Sequence, residues 1–146
     1  MNKIKSILIM SILLVSIFMI LNPVSAATYN VYPGDDIEAI IESANAGDTI
    51  YVHAGTYYPD DTITVNADNI SIIGDSPFNT IIDAISSGGD CFYSLKKYII
   101  IKNITVSNAP GYGILIDQQN VDGNWVGGEY ATIENCITYC NGHTYE

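Results

Sequence analysis

The sequence predicts an all-β chain coiled as a parallel β-helix, a single-stranded solenoid with one short capping α-helix at its N-terminal end. Three observations predict it. Short runs rich in β-branched residues recur along the chain at irregular periods, one helical pattern precedes them all, and no further helices alternate with them. Lack of alternation disfavours a βαβ sheet. An antiparallel sandwich favours two-residue turns such as Asn-Gly, and the one Asn-Gly dipeptide, Asn141-Gly142, lies near the chain end. Rungs stacked beneath a cap fit a solenoid better.

The elements follow in order. Lys3 and Lys5 precede an apolar run from Ile7 to Leu21, then Asn22, Pro23 and the small-residue site Val24, Ser25, Ala26. This layout predicts a secretory signal over residues 1–26, cut after Ala26. A retained anchor is the weaker alternative, because the run is shorter than the roughly 20 residues a spanning helix needs. Thr28 to Gly34 reads as an extended lead-in. Asp35 and Asp36 then offer an N-cap, and Ile37, Ile40, Ile41 and Ala44 form one apolar face, predicting a cap helix over about 36–45 that Gly47 stops.

From Ala46 to Asp75 the runs DTIYV, DTITV and NISII read as consecutive strands, with rungs starting at about 48. They are separated by punctuation containing Gly55 and Pro59, then Asn66 to Asn69. Ile50, Ile72, Ile101 and Ile133 occupy comparable places at spacings of 22, 29 and 32 residues. The predicted interior stacks are Ile70, Ile72, Ile81, Ile99, Ile101, Ile104, Val106, Ile114, Ile116, Ile133 and Ile137. An insert at 118–130, rich in Gly, Asn and Asp, reads as a loop thrown out from the side and accounts for the longest spacing.

The order of a helix, GDTIYVHAGTYY, TITV, NISIIG, TIIDA, KNITVSN and GYGILI resembles the N-terminal portion of right-handed parallel β-helix proteins of the pectin-lyase-like superfamily. It is especially similar to adhesin-like surface proteins of methanogenic archaea and to NosD-like exported repeat proteins. The similarity spans Val31 to Glu146, within a domain over 27–146. The resemblance implies a right-handed coil in which Asn103 and Asn135 sit at turns between rung strands and stack along the solenoid. Asn suits such turns on its own account, since it tolerates the left-handed region. The sequence stops at Glu146 inside a unit, which reads as a truncated C-terminus with open strand edges.

Charge narrows the partners. The formal net charge is −11, there is no Arg, and past the signal only Lys96, Lys97 and Lys102 oppose sixteen acids. Such a domain repels phosphate backbones and anionic headgroups, so neither nucleic acid nor, after signal cleavage, a membrane is an expected partner. The acidic surface can attract Ca²⁺ or simply keep the chain soluble; the second reading needs no cofactor and is the default. Secretion or display at the cell surface is the expected location.

The resemblance also implies a rival, a polysaccharide-active lyase or hydrolase. Lyases of the superfamily combine Ca²⁺-binding acids with an Arg or Lys base, and its hydrolases use clustered Asp. Here Asp35-Asp36 is explained as a cap, Asp60-Asp61 as a turn after Pro59, and His53 as a strand-end residue. No catalytic residue is therefore expected. Cys136, Cys140 and His143 form C-x3-C-x2-H without an evident fourth ligand, so no metal site is expected. On one strand Cys136 and Cys140 would stand about 13 Å apart, too far to bridge, and buried free thiols, Cys91 included, are the simpler reading.

The functional candidates lie in the insert. Trp125, with Asp122 and Asn124 beside it, is the candidate ligand-binding group for a glycan or a surface protein; the plainer reading, favoured on the residues alone, is that its ring folds back over the wall and pins its own loop. Asn69-Ile70-Ser71 and Asn103-Ile104-Thr105 are acceptor sequons for N-glycosylation. The reading favoured is a non-catalytic, exported, adhesin-like protein; the enzyme remains the rival, and a truncated non-functional fragment the third reading.

Overall fold

The computed structural model describes residues 25–142. The signal segment up to Val24, His143 and the chain end at Glu146 lie outside the described residues. The described chain is a parallel β-solenoid of about four turns. Strand β1 (Thr28–Val31) leads in, and helix α1 (Ile37–Glu42) follows. The first full coil then carries three strands, β2 (Thr49–Val52), β3 (Gly55–Tyr57) and β4 (Ile63–Val65). The second carries β5 (Ser71–Gly74), β6 (Thr80–Asp83) and β7 (Phe92–Ser94), and the third β8 (Ile100–Lys102), β9 (Thr105–Ser107) and β10 (Ile114–Ile116). A side hairpin, β11 (Gln119–Val121) and β12 (Asn124–Val126), precedes β13 (Thr132–Glu134) and β14 (Ile137–Tyr139) of the fourth.

These strands stack into three parallel sheets ordered β1-β2-β5-β8-β13, β3-β6-β9-β14 and β4-β7-β10. The four isoleucines placed together by spacing do stack, with Ile50 opposite Ile72, Ile72 opposite Ile101 and Ile101 opposite Ile133. Three residues before each of them the chain turns a corner in the left-handed region, at Gly47, Asn69, Tyr98 and Tyr130 (φ 94°, 59°, 58° and 61°). Amides at these corners bond along the axis, Gly47 N–H to Asn69 O at 3.1 Å, Asn69 N–H to Lys97 O at 2.9 Å and Tyr98 N–H to Glu129 O at 2.9 Å. A second corner follows the strand. There Asn103 and Asn135 are both left-handed, and Asn135 Nδ2 donates to Asn103 Oδ1 at 2.8 Å, the expected side-chain ladder.

Several expectations need correcting. Gly55 is not a break but opens β3, and a side chain there would collide with the Pro33 ring, so only Gly lets the first coil close against the lead-in. The interior residue of β6 is Ile82, which pairs with Tyr57 and Val106, while Ile81 stands on the outer face. Two adjacent isoleucines leave the inward one undecided by pattern, and a one-residue shift exchanges the faces. The helix is shorter than expected. Asp36 caps it by accepting from Ala39 N–H at 3.0 Å, Ser43 ends it, and Gly47 belongs to the first corner instead.

Ile37, Ile41 and Ala44 are buried, with Ile40 packed beside them, so the apolar helical face covers the start of the core as expected. Ile70, Ile72, Ile99, Ile101, Ile104 and Val106 are buried. Ile114 and Ile116 are partly covered, and Ile133 and Ile137 are 51% and 38% exposed, because among the described residues no further coil lies over them.

One column therefore contains a covered and an uncovered isoleucine of the same register. Ile101→Ala should cost about 2–5 kcal/mol in urea unfolding and Ile133→Ala roughly 1 kcal/mol or less. Equal costs would mean that the last coil is covered in solution.

Candidate functional site

After β10 the chain leaves the coil at Asp117-Gln118 and returns at Gly127-Gly128. The insert between is not an irregular loop. Strands β11 and β12 pair antiparallel, Gln119 opposite Val126, Asn120 opposite Trp125 and Val121 opposite Asn124. Asp122 and Gly123 close the hairpin with φ of 50° and 85°, the left-handed pair that a two-residue turn needs for its twist to match the strands. The Asn120 carboxamide oxygen accepts from Gly123 N–H at 3.0 Å and steadies the tip.

The base of this arm is clamped to the coil. Gly127 has φ 100°, and any side chain there would run into the Leu95 carbonyl. Gly128 N–H donates to Lys96 O at 3.2 Å, and Gly127 N–H to Glu129 Oε2 at 3.2 Å. Glu129 Oε1 lies 3.3 Å from Lys97 Nζ. Partial burial works to raise the Glu129 carboxyl, but hydrogen bonds from its own amide and Gly127 together with Lys97 outweigh it and hold the group below the usual carboxylate range.

Trp125 does not fold back over the wall; its side chain is 65% exposed. It borders an open groove with Ile116, Asp117 and Gln118. Strand alternation sets Trp125 on the same face of the arm as its cross-strand partner Asn120, and Asn124 on the other face with Val121. Asp122 is held in the turn. The structure thus brings Trp125 together with Asn120, Asp117 and Gln118, and separates it from Asn124, its neighbour in sequence. Asp122-Gly123 was the signal that would have found this, since a two-residue hairpin fixes which residues face each other.

A second aromatic group stands at the foot of the arm. The Tyr98 and Tyr130 rings stack with centroids 4.9 Å apart and planes 7° from parallel, and both are largely exposed. A third cluster surrounds His53. Its ring stacks on Tyr32 at 4.3 Å and leans against Tyr51 at 5.2 Å. Nε2 is 3.0 Å from Asn30 Oδ1, and Nδ1 faces Asp75 Oδ2 at 3.6 Å. The same Asp75 oxygen accepts from Ala54 N–H at 2.7 Å. With its ring stacked and both nitrogens facing polar partners, His53 acts as a corner brace; sequence spacing could not reveal it, because most of its partners come from neighbouring coils.

Cys91, Cys136 and Cys140 are free thiols. Cys91 is buried, which pushes its thiol pKa up, and Cys136 is partly covered. Cys140 corrects the expectation of buried thiols: it is exposed, at a left-handed corner (φ 55°), because that position in the coil lies outside the core. Cys136 and Cys140 flank β14, and among the described residues no three His, Cys, Asp or Glu side chains converge. Of the two sequons, Asn69 stands exposed at a corner, whereas the Asn103 side chain is engaged in the ladder with Asn135.

The fold defines the chain as a parallel β-solenoid protein. A scan against protein-family models returns no match, and searches of curated proteins and of solved structures return none either.

Gly127→Ala should loosen the arm without unfolding the coil. Limited proteolysis should then cut between Asp117 and Tyr130 several-fold faster than in the parent while far-UV circular dichroism is unchanged; equal cutting rates would show that the base is not clamped there.

Proposed function

We propose that this chain is an exported, non-catalytic, adhesin-like surface protein that uses its solenoid as a stiff support and its side arm to hold a glycan. The observation that carries the reading is the largely exposed Trp125 on a clamped hairpin, opposite Asn120 across the strands and beside a groove that offers Asp117 and Gln118. An indole face packs against the apolar face of a sugar ring, while carboxamides and a carboxylate suit its hydroxyls. The acidity of the chain favours a neutral glycan over a polyuronate, which it would repel. The resemblance to the pectin-lyase-like superfamily and its archaeal adhesin-like members supports export and surface display. A protein partner on the same arm is the other outcome that a binding screen can return.

Trp125 is the only tryptophan in the sequence, so its fluorescence reports the site directly. Titration with neutral oligosaccharides should shift its emission, and Trp125→Ala should weaken binding by tenfold or more, about 1.4 kcal/mol, with thermal unfolding unchanged. Undiminished binding by that variant would place the ligand elsewhere. Clear depolymerisation of polysaccharides, with or without Ca²⁺, would contradict the non-catalytic reading and favour the enzyme.

A further inference from the structure

We infer that Asp48 is the receptor for the N-terminus created by processing: cleavage after Ala26 turns the Ala27 nitrogen into an α-ammonium that the buried Asp48 carboxylate holds, closing the first coil with an ion pair. The inference is independent of what the arm binds and rests on reading residues 1–26 as a cleaved signal.

Asp48 is 1% exposed, one residue before β2. Its Oδ1 accepts from Ala27 N–H at 2.7 Å, and its Oδ2 from Asn45 N–H at 2.8 Å. The Ala27 carbonyl accepts from Thr49 N–H at 2.8 Å, so Ala27 is gripped on both sides by consecutive residues of the first coil. No Lys or His lies within ion-pair distance of Asp48 among the described residues. Both of its oxygens are served by neutral backbone donors, and an ammonium in place of one of those donors strengthens that contact. The amides of Ala27 and then Asn45 already hold this carboxyl below the usual range, which keeps it ionised and ready for a positive partner.

Ser25 and Ala26 are exposed and precede β1 without belonging to any regular element. Hydrolysis of the Ala26–Ala27 peptide bond by a signal peptidase consumes one water, leaving a carboxylate on Ala26 and, after protonation of the released amine, an ammonium on Ala27. The single amide donor to Asp48 becomes a charged one, and charge-assisted hydrogen bonds are about twice as strong as neutral ones. A cut one residue away would misplace the charge by about 3.3 Å, the rise of an extended residue. The cleavage position and the fold are thereby tied together: the clasp forms only once the chain has been released.

Secretion of the full precursor followed by intact-mass and N-terminal analysis tests the processing, and α-amine-selective acetylation of the product tests the clasp. The product should begin at Ala27, and acetylation should lower its Tm by on the order of 5 °C. Asp48→Asn should lower Tm and abolish the effect of acetylation; should that variant fail to fold, the acetylation comparison still decides. A product beginning at any other residue overturns the processing reading and the clasp with it. A product beginning at Ala27 whose Tm is unmoved by acetylation overturns the clasp alone.

Discussion

Everything in this molecule depends on keeping a parallel register from coil to coil. Strands of three or four residues leave no slack, because a slip of one residue exchanges the core face for the outer one. Ile50, Ile72 and Ile101 can form a dry column only if each coil returns to the same point after a different path. The corners make that return possible. Gly47 and Asn69 suit the left-handed region, but Tyr98 and Tyr130 do not, and such geometry for a bulky side chain is uncommon. Axial amide bonds at the Asn69 and Tyr98 corners and the stacking of the two tyrosine rings offset that cost. Corner geometry therefore prevails over residue preference.

The same constraint decides where new surface appears. Added length cannot enter the strands, so the growing spacing between equivalent isoleucines is expelled at the sides. The largest surplus forms a structure of its own, the Gln119–Val126 hairpin, and the Gly127-Gly128 clamp transmits the rigidity of the coil to its base. Trp125 is consequently exposed by architecture rather than by lack of local order, and that distinguishes a presented side chain from a loose one.

Legibility in the sequence followed the range of the interaction. The isoleucine column could be read because its positions sit in recurring local patterns, and the corners at Asn103 and Asn135 because Asn has a specific reason to occupy them; the ladder between the two was implied by the family resemblance. Strand β3 was hidden by Gly55, whose role depends on the Pro33 ring more than twenty residues away. The Ile81-Ile82 pair carried no alternation to choose the inward residue. In the arm, the Asp122-Gly123 signal was local and sufficient, yet the expectation of a loop grouped Trp125 with Asn124, its neighbour in sequence, and not with Asn120, its neighbour across the strands. The surroundings of His53 and the grip of Asp48 on Ala27 are contacts between coils, which spacing alone does not register.

A rigid coil bearing a separable arm has a direct signature in backbone amide hydrogen exchange of the whole chain. The inter-coil amides of Ser71 and Ile100, which bond to the carbonyls of Asp48 and Ile70, should exchange together and slowest, with the Gln119–Val126 amides exchanging as a distinct, faster unit. Protection of the arm equal to that of the coil, or fast exchange at the inter-coil amides, would contradict the account.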